Sequence, residues 1–325
     1  AIYMHNGSSI DVTDGSTFKI LGFNTAGITG DAIQIDQSTT VNIKVSGKST
    51  FLIDGTNRGY ANAPIICVEK STFTVQNCTS NASNGGDFTA IDSTILYQNN
   101  FGNGLSTRSL DIQNSNVASL NNGAYGVYAR DQLRVDSSST LDVIGNSWRG
   151  DWSGLQIGNS SDAIIKTGAT VNIKDNKCSG LSNWGTCIFE EGVDLTITGN
   201  INDKGNTSRG GGIYNTKDTA HLTLPSDAVI YNNHAVTGGD DIYNTGEITF
   251  SRVGTDWTLD DCNHKITGWY DDSDNSRWEA HEKPYHINEF VKFERNGMTT
   301  VKGLLSLKAA HGVDPINPGD PGTTE

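Results

Sequence analysis

The sequence predicts an all-β protein built as a parallel β-helix, a solenoid closed by a C-terminal capping segment. Three observations predict it. The first is a phrase that recurs at intervals of one coil: Tyr125-Gly126-Val127-Tyr128, Ser153-Gly154-Leu155-Gln156, Thr186-Cys187-Ile188-Phe189, Gly211-Gly212-Ile213-Tyr214 and Asp240-Asp241-Ile242-Tyr243. Aligned on the aliphatic residue (Val127, Leu155, Ile188, Ile213, Ile242), the steps are 28, 33, 25 and 29 residues. The second is an apolar strand that ends in Asn within each step, from Leu141-Asp142-Val143 to Asn146, Val171-Asn172-Ile173 to Asn176, Leu195-Thr196-Ile197 to Asn200, and Ala228-Val229 to Asn232. Loose periods of this length with short strands mark stacked coils. The third is composition. Charged residues make up 18% of 325 and Gly numbers 37, which suits many tight turns and few helices.

Taken in order, the elements read as follows. Residues 1–60 carry period-2 strands at Ile10-Asp11-Val12, Phe18 to Leu21, Ile33-Gln34-Ile35, Val41-Asn42-Ile43 and Phe51-Leu52-Ile53. Residues 61–123 continue less regularly, and 124–250 repeat most clearly. Only 6 prolines occur and none falls in these strands, so parallel ladders can run without a missing donor. The β-helix is assigned to 1–250. The residue after each aligned aliphatic should face outward, giving a row of Tyr128, Gln156, Phe189, Tyr214 and Tyr243. The Asn residues at 146, 176, 200 and 232 should stack at one corner, each amide bonding the next. From 251 the pattern changes: three of the six Trp residues (Trp257, Trp269, Trp278) and the histidines His264, His281 and His286 crowd into 251–310. The last coil would otherwise expose a row of unpaired backbone groups and a core cross-section, so this segment is read as the cap. Residues 311–325 hold three prolines and read as a linker to stalk or anchor domains downstream in the same chain.

The formal net charge is −14 and no basic run is visible, so nucleic acid is not expected as a partner. No apolar stretch of 18 residues occurs, so membrane insertion is not expected. The five cysteines (67, 78, 178, 187, 262) show no CxxC pair or zinc spacing. Cys187 is read as a buried thiol, with a Cys178–Cys187 bridge as the alternative. A serine elbow is absent, and the glycines at 210–212 have no following Lys or helix, so they form no phosphate loop.

The segment Gly210-Gly211-Gly212-Ile213-Tyr214-Asn215, followed by Asn232-Asn233-His234 and Gly239-Asp240-Asp241-Ile242-Tyr243-Asn244, resembles right-handed parallel β-helix repeats of large surface proteins of Gram-positive gut and oral bacteria. The block Trp257 to Cys262, His264, Gly268 to Asp272 and Arg277-Trp278 resembles the segment that closes such helices. The resemblance covers residues 120–325 well and implies a right-handed coil and an extracellular, cell-surface location. It says little of activity, because the same coil serves adhesins, glycosidases and lyases.

Three constellations could carry function. Loops containing Trp148, Arg149, Asp151 and Trp152, then Asn183 and Trp184, precede what is aligned as the same strand in successive coils. Indoles beside Asp, Arg and Asn supply the apolar platform and fixed polar groups that a sugar needs. Carboxylates at Asp151, Glu190, Asp240 and Asp241 are candidates for glycosidase chemistry, since stacked coils bring acids to roughly the 5–9.5 Å separations it requires. Asp271, Asp272 and Asp274 offer hard oxygens to calcium, the one ion these residues suggest; no other cofactor is expected. The sequence therefore points first to an adhesin module that binds host carbohydrate or glycoprotein without chemistry, next to a glycoside hydrolase, and third to a structural stalk.

Overall fold

The computed structural model describes residues 2–22, 30–36, 40–62, 64–150, 152–204, 208–250, 266–273, 293–295 and 298–311. Among them the backbone is strand and turn, with no helix. The strands lie parallel in stacked sheets, an arrangement compatible with a parallel β-solenoid. Asp151, Asp274, Trp257, Cys262, His264, Trp278, His281 and His286 lie outside the described residues, as does the linker after His311.

Each coil contributes to three walls. The third wall is the most regular: Thr17–Leu21, Thr50–Asp54, Thr72–Gln76, Thr94–Gln98, Asn116–Leu120, Thr140–Ile144, Thr170–Lys174, Asp194–Thr198 and Val229–Tyr231 pair in sequence order. Side chains alternate in and out along a strand. Phe51 and Ile53, Phe73 and Val75, Ile95 and Tyr97, Leu141 and Val143, Val171 and Ile173, and Leu195 and Ile197 all point inward and are buried. One coil cannot enclose these side chains; the coils above and below complete the burial, worth about 1.5–3 kcal/mol per large apolar side chain. Within the stack Phe51 lies on Phe73 at 4.8 Å between ring centres, and the Tyr60 and Tyr97 hydroxyls share a buried hydrogen bond of 2.7 Å.

The second wall runs from Ser9–Val12 through Asn42–Val45, Ile65–Glu69 and Asp87–Ile91 to Asp162–Ile165, Thr186–Phe189, His221–Leu224 and Glu247–Phe250. The first wall holds the short strands Leu155–Ile157, Leu181–Asn183, Ile213–Asn215 and Ile242–Asn244. Two nine-residue strands, Leu105–Gln113 and Val127–Val135, bend from the first wall into the second, and their pairing slips where Arg108 turns the corner.

The register corrects one alignment. In the third coil of the repeat the partner of Leu155 is Leu181, and Ile188 pairs with Ile164 on the second wall. The segment from Gly180 to Phe189 contains two short strands, and the sequence alignment chose the second. In consequence Phe189 is fully buried core, and the outward row reads Tyr128, Gln156, Ser182, Tyr214, Tyr243. Gln156 and Ser182 are covered, so the aromatic row is broken in the middle. Tyr214 and Tyr243 do stack, at 5.8 Å.

The corner between the third and first walls carries an amide ladder. Asn100, Asn122, Asn146, Asn176, Asn200 and Asn233 are all buried. In each step one Asn donates both its backbone N–H and its Nδ2 to the Oδ1 of the next, at 2.8–3.1 Å. Each Nδ2 also donates to a carbonyl of the coil below, such as Ser119 O for Asn146. Asn233 holds the rung expected for Asn232. The residue before each ladder member turns the corner with positive φ (Asn99, Asn121, Gly145, Asp175, Gly199, Asn232), so only the second residue of each pair points inward. Gly, Asn and Asp tolerate that conformation.

Glycine precedes the first-wall strand because the ladder occupies the space its side chain would need. A Cβ at Gly126, Gly154, Gly180 or Gly212 would meet an Asn Nδ2 at 2.6–2.7 Å. In the last parallel coil the equivalent residue is Asp241. Its Oδ1 accepts the N–H (3.1 Å) and Nδ2 (2.9 Å) of Asn233, doing there what the next Asn would do. Its Oδ2 accepts the Ala309 N–H at 2.7 Å. Ala309 belongs to Leu305–His311, which pairs antiparallel with Ile242–Asn244 and with Ile266–Asp271; Met298–Lys302 pairs likewise with Glu247–Phe250. These strands cover the last coil, and Trp269 and Leu307 are fully buried beneath them.

Candidate functional site

The strand Leu155–Ile157 has a turn at each end, and the register divides the sequence-predicted sugar residues between them. Trp148, Arg149 and Trp152 lie in the turn that enters the strand. Asn183 lies within the equivalent strand of the next coil, and Trp184 follows it, donating its N–H to Ile157 O at 3.1 Å. Asn183 is fully buried: its Nδ2 donates to Asn215 Oδ1 at 2.8 Å in a second, shorter ladder that continues to Asn244. The exit turn keeps one exposed platform, Trp184, with the Lys217 ammonium 4.9 Å from its ring centre.

The entry turn gathers more. Trp148 is 45% exposed and meets the edge of Phe101, itself 44% exposed, at 5.8 Å between ring centres. Its Nε1 donates to Asn121 O at 3.3 Å. The Arg149 guanidinium lies 3.5 Å from the Phe101 ring centre and donates to Phe101 O at 3.1 Å. To reach it, Arg149 crosses Gly123, where a Cβ would meet Arg149 Cδ at 2.8 Å. Trp152 is half-buried and packs against Tyr125, which leans on Tyr128. Phe101 carries no repeat signature of its own, and only its neighbour Asn100 could have located it, as the ladder residue that fixes this corner.

Below these rings an open groove of about 440 Å³ runs between Asn77, Cys78, Thr79, Asn99, Phe101 and Trp148. Asn77 and Asn99 are exposed corner residues with φ of 55°. Asn77 Nδ2 donates to Asp54 Oδ1 at 2.8 Å, and Thr79 Oγ1 donates to Asn57 Oδ1 at 3.2 Å. The Cys78 thiol is buried, and burial pushes it up to about 11, so it stays protonated and inert. Groove chemistry is therefore aromatic faces beside neutral amides and hydroxyls.

The carboxylates lie elsewhere. Glu190 accepts from Lys166 Nζ at 2.6 Å and from the Thr167 N–H at 3.1 Å; the lysine first, then the amide, hold it below the usual carboxylate range. Glu191 accepts from the Ser226 N–H at 3.1 Å and from the Ser226 hydroxyl. Asp240 is fully buried, with Oδ2 on Lys308 Nζ at 2.8 Å and Oδ1 accepting the Ala235 N–H at 2.8 Å. Burial raises Asp241 to about 6, against the opposing influence of Lys308. Both aspartates thus join the antiparallel strands to the last parallel coil, and neither lines the groove.

Asp271 Oδ1 accepts the Ser273 N–H at 3.1 Å, whereas Asp272 is buried and accepts the Asp240 N–H at 2.7 Å. Among the described residues no cluster of three His, Cys, Asp or Glu side chains is placed to hold a metal ion. Cys187 is buried, and no disulfide joins Cys178 to Cys187. No helix among the described residues is long and apolar enough to cross a membrane. No family model, no curated protein and no solved structure matches this chain.

Proposed function

We propose that this chain is the carbohydrate-binding module of a bacterial cell-surface adhesin, and that it holds host glycans or glycoproteins without chemistry. The observation that carries this reading is the groove: two exposed aromatic rings, Phe101 and Trp148, set at the end of a channel lined by uncharged Asn and Thr side chains. A pyranose presents apolar C–H faces and hydroxyl edges, which such a surface complements. Binding without turnover is supported by the state of the acids. Glu190 is engaged by Lys166, and Asp240 and Asp241 are buried at the cap. The right-handed sense of the coil belongs to the same proposal and rests on the strong preference of parallel crossovers for that hand.

A glycan array with the purified chain, followed by product analysis on each hit, tests the proposal. Binding that persists without product is the expected result. Released sugar would favour a glycoside hydrolase, and a blank array would favour a stalk.

A further inference from the structure

The groove follows the stack axis. Its lining comes from equivalent positions of two successive coils, Asn77 and Thr79, then Asn99 and Phe101, with Trp148 folded back from the coil beyond; Asn57, bonded to Thr79, holds the position equivalent to Thr79 on the coil before. Asn77 and Asn99 share one corner conformation, so their side chains leave the stack in the same direction. The same corner in the next coil, Asn121, also has φ of 54° and is exposed, and the Trp148 indole donates to its carbonyl. Trp148 thus marks one end of the lining, and Asn77 and Thr79, beside Asn57, the other.

We propose that this groove takes an extended, uncharged polysaccharide lying along the stack axis, one sugar ring per coil. The proposal rests on the carbohydrate reading above and adds the ligand's length, direction and charge. Parallel strands stack about 4.8 Å apart, a repeat comparable with one pyranose unit of a stretched β-1,4-linked chain. The terminal ring lies on Trp148 and Phe101. The next units meet the Asn99 amide, then Asn77 and Thr79, then Asn57. Charge selects against acidic sugars. No lining residue is itself a cation, the exposed Arg149 guanidinium is held on the Phe101 ring at the Trp148 end, the Asp54 carboxylate stands at the other end against Asn77, and the chain carries −14 overall. Arg149 is turned onto Phe101 and its carbonyl. An open lining that crosses from one coil to the next suits a chain better than a single enclosed terminal sugar.

Calorimetry on the full chain tests this with β-1,4-linked glucose, mannose, xylose and N-acetylglucosamine series of one to six units, beside a galacturonate series. In at least one neutral series affinity should climb to about four units, one per coil, by roughly fivefold for each ring that gains a net hydrogen bond, and then level off. Galacturonate oligomers should not bind. Thr79→Val, isosteric and exposed, should reduce the gain from monomer to tetramer by roughly the same fivefold, with an unchanged circular dichroism spectrum. Trp148→Ala should weaken every length. If a monosaccharide binds as tightly as its tetramer and both depend on Trp148, the axial mode is wrong while the carbohydrate reading survives. A climb that Thr79→Val leaves intact also overturns the axial mode. If no series binds, both fall.

Discussion

Asn99 and Asn100 are neighbours in sequence, identical in chemistry, and opposite in fate. Asn100 points inward, fully buried, with its amide spent on Asn122 and Val75. Asn99 turns the corner with φ of 55° and leaves its side chain in solvent at the groove. The same contrast recurs at Asn121 and Asn122, and at Asn232 and Asn233. The inner row holds the coils in register, and the outer row lies at the surface, where the proposed recognition would take place. A solenoid can therefore vary the outer row at little cost in stability, provided each substitute accepts positive φ.

The largest expected effect breaks the inner row. Asn146→Ala removes the acceptor of the Asn122 N–H and Nδ2 and the donor to Ser119 O, leaving buried groups unpaired. The loss should be on the order of 4 kcal/mol, since each orphaned group costs about 1–3 kcal/mol. Its outer-row counterpart Asn121→Gly keeps the corner conformation and should stay within about 0.5 kcal/mol. Denaturant melts of the two variants measure the difference, and equal losses would erase the distinction between rows.

The end of the ladder sharpens the comparison through pH. Asp241 is raised from 3.8 to about 6 by burial. Such a group contributes stability that is fully present below its unfolded value and is lost as pH rises through its folded one. The window is thus pH 4 to 6, and its size is on the order of 3 kcal/mol. The groups that face Asp241 are Asn233, the Ala309 N–H, Asp240 and Lys308, with His234 and Asp272 on Asp240. Glu190 and Glu247 are lowered by Lys166 and Lys302 respectively, so their contribution is lost instead as pH falls. Subtracting the Asp241→Asn profile from that of the unsubstituted chain isolates the terminator. A flat difference between pH 4 and 6 would show that its carboxyl is not buried as described.

A smaller effect is expected at Gly154. An alanine Cβ would lie 2.6 Å from Asn176 Nδ2 and 2.8 Å from Gly180 O, and it should cost about 2 kcal/mol as overpacking. Melting temperature measures it. A neutral Gly154→Ala would mean that the ladder has slack and that glycine is not required there.

Much of this architecture was legible because period-2 strands and Asn-ended turns repeat at coil length. The all-β class, the parallel strands and the existence of an Asn ladder could all be read. What could not be read was register within Gly180 to Phe189, where two aliphatic strands compete and only pairing decides between Leu181 and Ile188. That single slip placed Phe189 outside and set Asn183 beside Trp148. Asp240-Asp241 looked like a surface acid pair because sequence does not reveal that the ladder ends there and that antiparallel strands cover it. Phe101 was missed because its value comes from Trp148 and Arg149 folding back over it, a contact of no fixed spacing.

The division between an inner row that holds and an outer surface proposed to bind is tested most directly by Trp148→Ala, with affinity and stability measured on the same sample. An exposed platform should cost on the order of 2 kcal/mol of binding, roughly thirtyfold in affinity, while Tm moves by no more than about 1 °C. Unchanged affinity for a glycan that the unsubstituted chain binds, or a fall in Tm that accompanies the loss of binding, would contradict the account.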